Sequence, residues 1–114
     1  MRLMTGDVIK KVVQIFASEA TRIYGSTLDA VILYGSCARG DFEPDSDIDI
    51  LILLNVSPDK ICEERKKIRS LSDRLDLEYD VVLAPVVQST QVYEKYLSAS
   101  VYYQNVKREG VKVA

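Results

Sequence analysis

Asp47 and Asp49 stand two residues apart at the head of an apolar run, Ile50-Leu51-Ile52-Leu53-Leu54. On an extended strand, side chains at that spacing share one face, so the two carboxylates lie side by side. Neighbouring carboxylates repel, and both stay ionised only where cations sit between them. Magnesium suits such a pair, because it takes carboxylate oxygens and keeps positions open for substrate phosphates. Ile48 and Ile50 point the other way, into a core, which fixes the register. Asp80, within the apolar stretch Tyr79-Asp80-Val81-Val82-Leu83, offers a third carboxylate if its strand neighbours the second. Three carboxylates and two divalent ions suffice for an in-line displacement at phosphorus. One ion activates the attacking oxygen and the other stabilises the leaving pyrophosphate.

A phosphate-sized turn precedes the pair. Gly35-Ser36 follows another apolar run, Ala30-Val31-Ile32-Leu33-Tyr34. Gly35 lets the backbone approach a phosphate closely, and Ser36 adds a hydroxyl and an N–H at a helix start, where anions are favoured. Arg39, one helical turn on, is placed either to contact a β- or γ-phosphate or to pair with Asp41 or Asp45 at the surface. Taken singly, each piece has a plainer reading: a turn, a solvated strand edge, a strand-start aspartate satisfied by backbone N–H groups. Their order along one short stretch favours the joint reading, a site for a nucleoside triphosphate and a divalent ion.

The elements that must position these residues follow from periodicity. Val8, Val12, Phe16, Ala20 and Ile23 repeat at helical spacing over residues 7–24, and Gly25 is a natural stop. A first strand is expected over about residues 29–34, a helical turn at Ser36–Arg39, a loop containing Pro44, and a second strand from Asp47 to Leu54. Ser57-Pro58-Asp59 reads as a helix start, and the helix turns Ile61, Ile68, Leu71 and Leu75 inward. The pattern then predicts a third strand from Glu78 to Ala84, with Pro85 ending or bending it. One or two short helices follow, closed by Gly110, and Val111-Lys112-Val113 reads as a brief terminal strand. The expected fold is α/β (α+β): a small mixed sheet flanked by helices.

Composition narrows the function. The 114 residues are expected to form a single domain, residues 1–114. No histidine occurs, which excludes mechanisms needing an imidazole base. Cys37 and Cys62 lack zinc-site spacing and read as free thiols. A net charge of −2 makes a broad nucleic-acid surface an unfavourable reading. No apolar run reaches membrane-span length and no apolar signal core appears at the start, so the expected setting is the cytoplasm. The tyrosines read as packing residues, although an apolar face on the tyrosine-rich C-terminal segment would suit a partner helix.

The ordered string Gly-Ser-x-Ala-Arg-Gly-Asp-x-x-Pro-Asp-Ser-Asp-x-Asp, Gly35 to Asp49, resembles the nucleotidyltransferase superfamily of DNA polymerase beta. More closely, it is similar to the minimal nucleotidyltransferases (MNT proteins). The tail Asn105-Val106-Lys107-Arg108-Glu109-Gly110-Val111 is similar to that family's usual ending. The resemblance implies the polymerase beta-like fold, a triphosphate held at Gly35 and Ser36, magnesium on Asp47 and Asp49, and Asp80 as the third aspartate. Gly35, Ser36, Arg39 and Ser46 form the expected nucleotide-binding set. It further implies an antitoxin that transfers AMP from ATP to a tyrosine of a HEPN ribonuclease toxin, with which it forms a complex. Two alternatives stand beside it: transfer to a small-molecule hydroxyl, and neutralisation of the toxin by occlusion alone. Whether Asp80 is a metal ligand, a general base or both is open at this point, as is the homo- or hetero-oligomeric state.

Overall fold

The computed structural model describes residues 4–114. Helix α1 spans Gly6–Tyr24, starts at Thr5, whose hydroxyl accepts the Val8 N–H, and stops at Gly25 with φ 56°. Strand β1 is Leu28–Tyr34 and is followed by the single turn of α2, Ser36–Arg39. Strand β2 is Ile48–Leu54. A 3₁₀ turn at Pro58–Lys60 leads into α3, Ile61–Tyr79, then β3, Leu83–Ser89. Two short helices follow, α4 at Thr90–Tyr96 and α5 at Val101–Glu109, before β4 at Val111–Lys112.

The four strands form one mixed sheet in the order β3-β2-β1-β4. β1 runs antiparallel to β2 and β4, while β2 and β3 are parallel. Alternation along β2 sorts its side chains between two layers. Ile48, Ile50, Ile52 and Leu54 are fully buried in a core with Val12, Phe16 and Ala20 of α1 and Ile68 and Leu75 of α3. Leu51 and Leu53 face the opposite side, where they cluster with Ala30, Val106 of α5 and Tyr93 of α4. The inward positions expected on α3, Ile61, Ile68, Leu71 and Leu75, are all buried.

The third strand departs from expectation. α3 continues to Tyr79 and ends at Asp80, which takes the left-handed conformation at φ 52° and donates its N–H to the Asp76 carbonyl. The Asp76 carboxylate accepts the Leu83 N–H at 2.8 Å, so the helix end is tied directly to the incoming strand. β3 therefore begins three residues after Asp80 and carries Pro85 inside it rather than stopping there. A proline lacks a backbone donor, and an edge strand tolerates that loss. β3 is such an edge, paired with β2 alone.

Candidate active site

Residues 35–47 leave β1 and return as β2, so the glycine turn and the aspartates meet at one end of the sheet. Gly35 has φ 74° and ψ −157°, a backbone conformation that L side chains rarely adopt. Its Cα lies against Asp49: a Cβ placed there would collide with Asp49 Oδ2 and sit 3.3 Å from Cγ. The turn is closed by the Ala38 and Arg39 N–H groups, which both donate to the Gly35 carbonyl at 3.1 Å. Gly40, left-handed at φ 88°, ends it.

Asp49 is half-buried and Asp47 exposed. Asp47 just precedes β2 and, by alternation, lies on the same face as Asp49. Burial pushes the Asp49 carboxyl up from its ordinary value, the Asp47 charge pushes it further, and the Arg39 guanidinium opposes both. An anion disfavoured in this way gains from a cation placed beside it. Two carboxylates on one face, next to a glycine backbone with no side chain, fit a magnesium ion that completes its coordination from phosphate and water.

The remaining expected residues divide. Ser36 opens α2 beside Gly35. Arg39 takes the surface alternative: its Nε donates to Asp41 at 3.2 Å and its Nη1 to Glu109 of α5 at 2.9 Å. Exposed ion pairs of this kind are weak, so a phosphate can displace them. The Ser46 hydroxyl accepts the Glu43 N–H at 2.8 Å and its own N–H donates to the Glu43 carbonyl. It closes the loop that delivers Asp47. Asp80 is not brought to the pair. It is exposed at the α3 C-terminus, and among the described residues no three His, Cys, Asp or Glu side chains gather to hold a metal. Both cysteines are free thiols. Cys37 is buried behind the turn, with its Sγ 3.5 Å from the Asp47 carbonyl, and burial, with Asp49 next, pushes its thiol up. That makes a reactive thiolate unfavourable.

Three residues at this end were not foreseen. Tyr34 pairs in register with Asp49. Its hydroxyl lies 2.6 Å from that of Tyr102 on α5, with the rings edge to face at 5.6 Å. Both phenols are pushed up, chiefly by burial, with the Asp49 charge contributing. Glu109 is the third, through Arg39. Tyr34 directly precedes the Gly35 turn, which is the local signal that places it at the site. Tyr102 and Glu109 lie 68 and 70 residues from their partners and carry no local signal.

The fold and site define a class: a mixed α/β domain whose open sheet face presents a glycine turn and a carboxylate pair for chemistry at phosphate. The family described as "Nucleotidyltransferase domain" matches residues 9–112, and the chain belongs to it. Two Methanocaldococcus jannaschii relatives named as protein adenylyltransferases are each 34% identical to it. One match runs over 105 residues (92% of this chain and 98% of the relative). The other runs over 101 residues (89% and 93%). Among solved structures, a nucleotidyltransferase from Sulfolobus solfataricus matches with a TM-score of 0.63 at 19% identity, over 94% of this chain and 80% of that one. A toxin–antitoxin structure with AMP-PNP matches at 0.55 and 21% identity, over 89% and 72%. A tri-AMPylated Shewanella oneidensis HEPN toxin in complex with MNT antitoxin matches at 0.52 and 21%, over 92% and 71%. These structures share its fold.

Proposed function

We propose that this chain transfers AMP from ATP to a tyrosine hydroxyl of a HEPN-type toxin in the cytoplasm, and so acts as its antitoxin. The observation that carries the reading is the contact between Gly35 and Asp49, with Asp47 on the same face. It sets a backbone able to approach a triphosphate against a carboxylate pair able to hold magnesium. Asp47 and Asp49 would hold a magnesium ion, which when bound would supply neutralising charge to the triphosphate. Gly35 and Ser36 receive the phosphates, and Arg39 exchanges Asp41 and Glu109 for the β- or γ-phosphate. The loop closed by Ser46 keeps Asp47 in place. The acceptor oxygen bonds to the α-phosphorus, the bond to the bridging oxygen of the β-phosphate breaks, pyrophosphate leaves, and the acceptor proton passes to water. Asp80 stands outside this set.

Two findings support a protein acceptor. The relatives from Methanocaldococcus jannaschii are named for protein adenylylation. Val82, Val86 and Tyr102, each about two-fifths exposed, put apolar surface beside the carboxylates, which suits a protein partner better than a small polar hydroxyl compound. The test is intact-mass spectrometry of a HEPN-type toxin after incubation with this chain, magnesium and ATP. The reading expects a gain of one or more AMP groups that disappears with the Asp47→Asn/Asp49→Asn double variant. Transfer that persists in the double variant contradicts it.

A further inference from the structure

Tyr102 differs from the other tyrosines of the chain in where its hydroxyl stands. Tyr24 lies in the closed core and donates to the Glu64 carbonyl. Tyr103 is engaged by Gln88, and Tyr93 packs on its ring. Tyr79 lies at the end of α3, beneath Lys11, and Tyr96 stacks with Lys95. Tyr34 is in register with Asp49 and is covered by Tyr102, against which it makes its edge contact. Tyr102 alone joins two properties: its hydroxyl is 2.6 Å from that of Tyr34, at the carboxylate end of the sheet, and the residue is 40% exposed. The Asp49 charge is felt at both phenols, in keeping with that placement.

We propose that Tyr102 is an acceptor in cis, so that the chain adenylylates itself at this residue when no partner hydroxyl occupies the site. The proposal rests on the nucleotidyl-transfer reading above. Its step is the same displacement: Tyr102 Oη bonds to the α-phosphorus of ATP, the bond from that phosphorus to the bridging oxygen breaks, pyrophosphate departs, and the phenolic proton goes to water. The Tyr34 hydroxyl positions the Tyr102 oxygen. The product carries an AMP group over the carboxylate pair, where it excludes a second ATP and a partner tyrosine alike. Self-modification is thus a brake that a bound partner, by covering Tyr102, prevents.

The experiment uses the isolated chain with magnesium and ATP, intact mass, peptide mapping, and nucleotide binding measured in parallel by calorimetry. The expected result is one AMP per chain, mapped to Tyr102, lost in Tyr102→Phe and in the Asp47→Asn/Asp49→Asn double variant, and retained in Tyr96→Phe, an exposed tyrosine elsewhere. Tyr102→Phe should still bind the nucleotide, which separates loss of the acceptor from loss of the site. A chain that binds magnesium–ATP without gaining mass overturns self-modification and leaves the nucleotide site standing. AMP mapped to another residue, or persisting in Tyr102→Phe, overturns the assignment. Failure to bind magnesium–ATP overturns both readings.

Discussion

The two faces of the sheet are built from the same strands and do opposite work. On the face covered by α1 and α3, β2 contributes Ile48, Ile50, Ile52 and Leu54, all fully buried. On the other face the same strand presents Asp49, half-buried beside Gly35. There α4 and α5 cover only part of the surface, and Val82, Val86 and Tyr102 remain exposed. One face supplies stability by removing apolar surface from water. That leaves the other free to carry Asp49, whose ionised form is disfavoured by burial and by the Asp47 charge. β2, with a period of two, carries both assignments in seven residues.

The largest effects should separate the faces. Ile50→Ala leaves a cavity in the closed core and should cost about 2–5 kcal/mol by urea unfolding. Val86→Ala, on the open face, should stay within about 0.5 kcal/mol. Equal losses would mean that both faces contribute alike to stability. Next comes the seam between turn and strand. Gly35→Ala forces a side chain into the Asp49 carboxylate from a strained backbone. It should cost about 1–3 kcal/mol and remove nucleotide binding as well, read in the same preparation by melting and calorimetry.

Smaller effects sharpen the assignment of Asp80. Its left-handed cap conformation suits glycine better. Asp80→Gly should therefore be neutral to stabilising by no more than about 1 kcal/mol, with AMP transfer intact. A stable variant that has lost transfer would return Asp80 to the site. The finest effect is electrostatic. Because the Asp49 pKa is raised on folding, the native state holds its proton longer than the unfolded chain. Wild-type stability from this group is therefore full below the ordinary value of 3.8 and falls as pH rises through the raised value. Asp49→Asn should thus melt higher than the wild-type protein at neutral pH without magnesium, with the gap closing as the pH drops below that window.

The glycine turn and carboxylate pair are legible in the sequence because both lie within residues 35–49, and alternation along β2 assigns the faces unaided. The β3 entry is not. Tyr79-Asp80-Val81-Val82-Leu83 reads as a strand on local preference. What ends the helix at Tyr79 is the Asp76 carboxylate on the Leu83 N–H and the burial of Val81, both products of the folded arrangement. Pro85 reads as an end or a bend of the strand while the edge position of β3 is unknown. Arg39 has two readings in the sequence, and the structure shows the surface one, with ion pairs to Asp41 and to distant Glu109. Tyr102 reaches the site only because Val106 anchors α5 against Leu51 and Leu53, a contact that no local spacing encodes.

Thermal unfolding with and without magnesium–ATP shows whether the open-face carboxylates are a magnesium–nucleotide site. Ligand at about 100 times its dissociation constant should add about 2.7 kcal/mol to the wild-type chain. The Asp47→Asn/Asp49→Asn double variant should show no such gain, although it starts from a more stable ligand-free state. Equal stabilisation of both proteins would contradict the account.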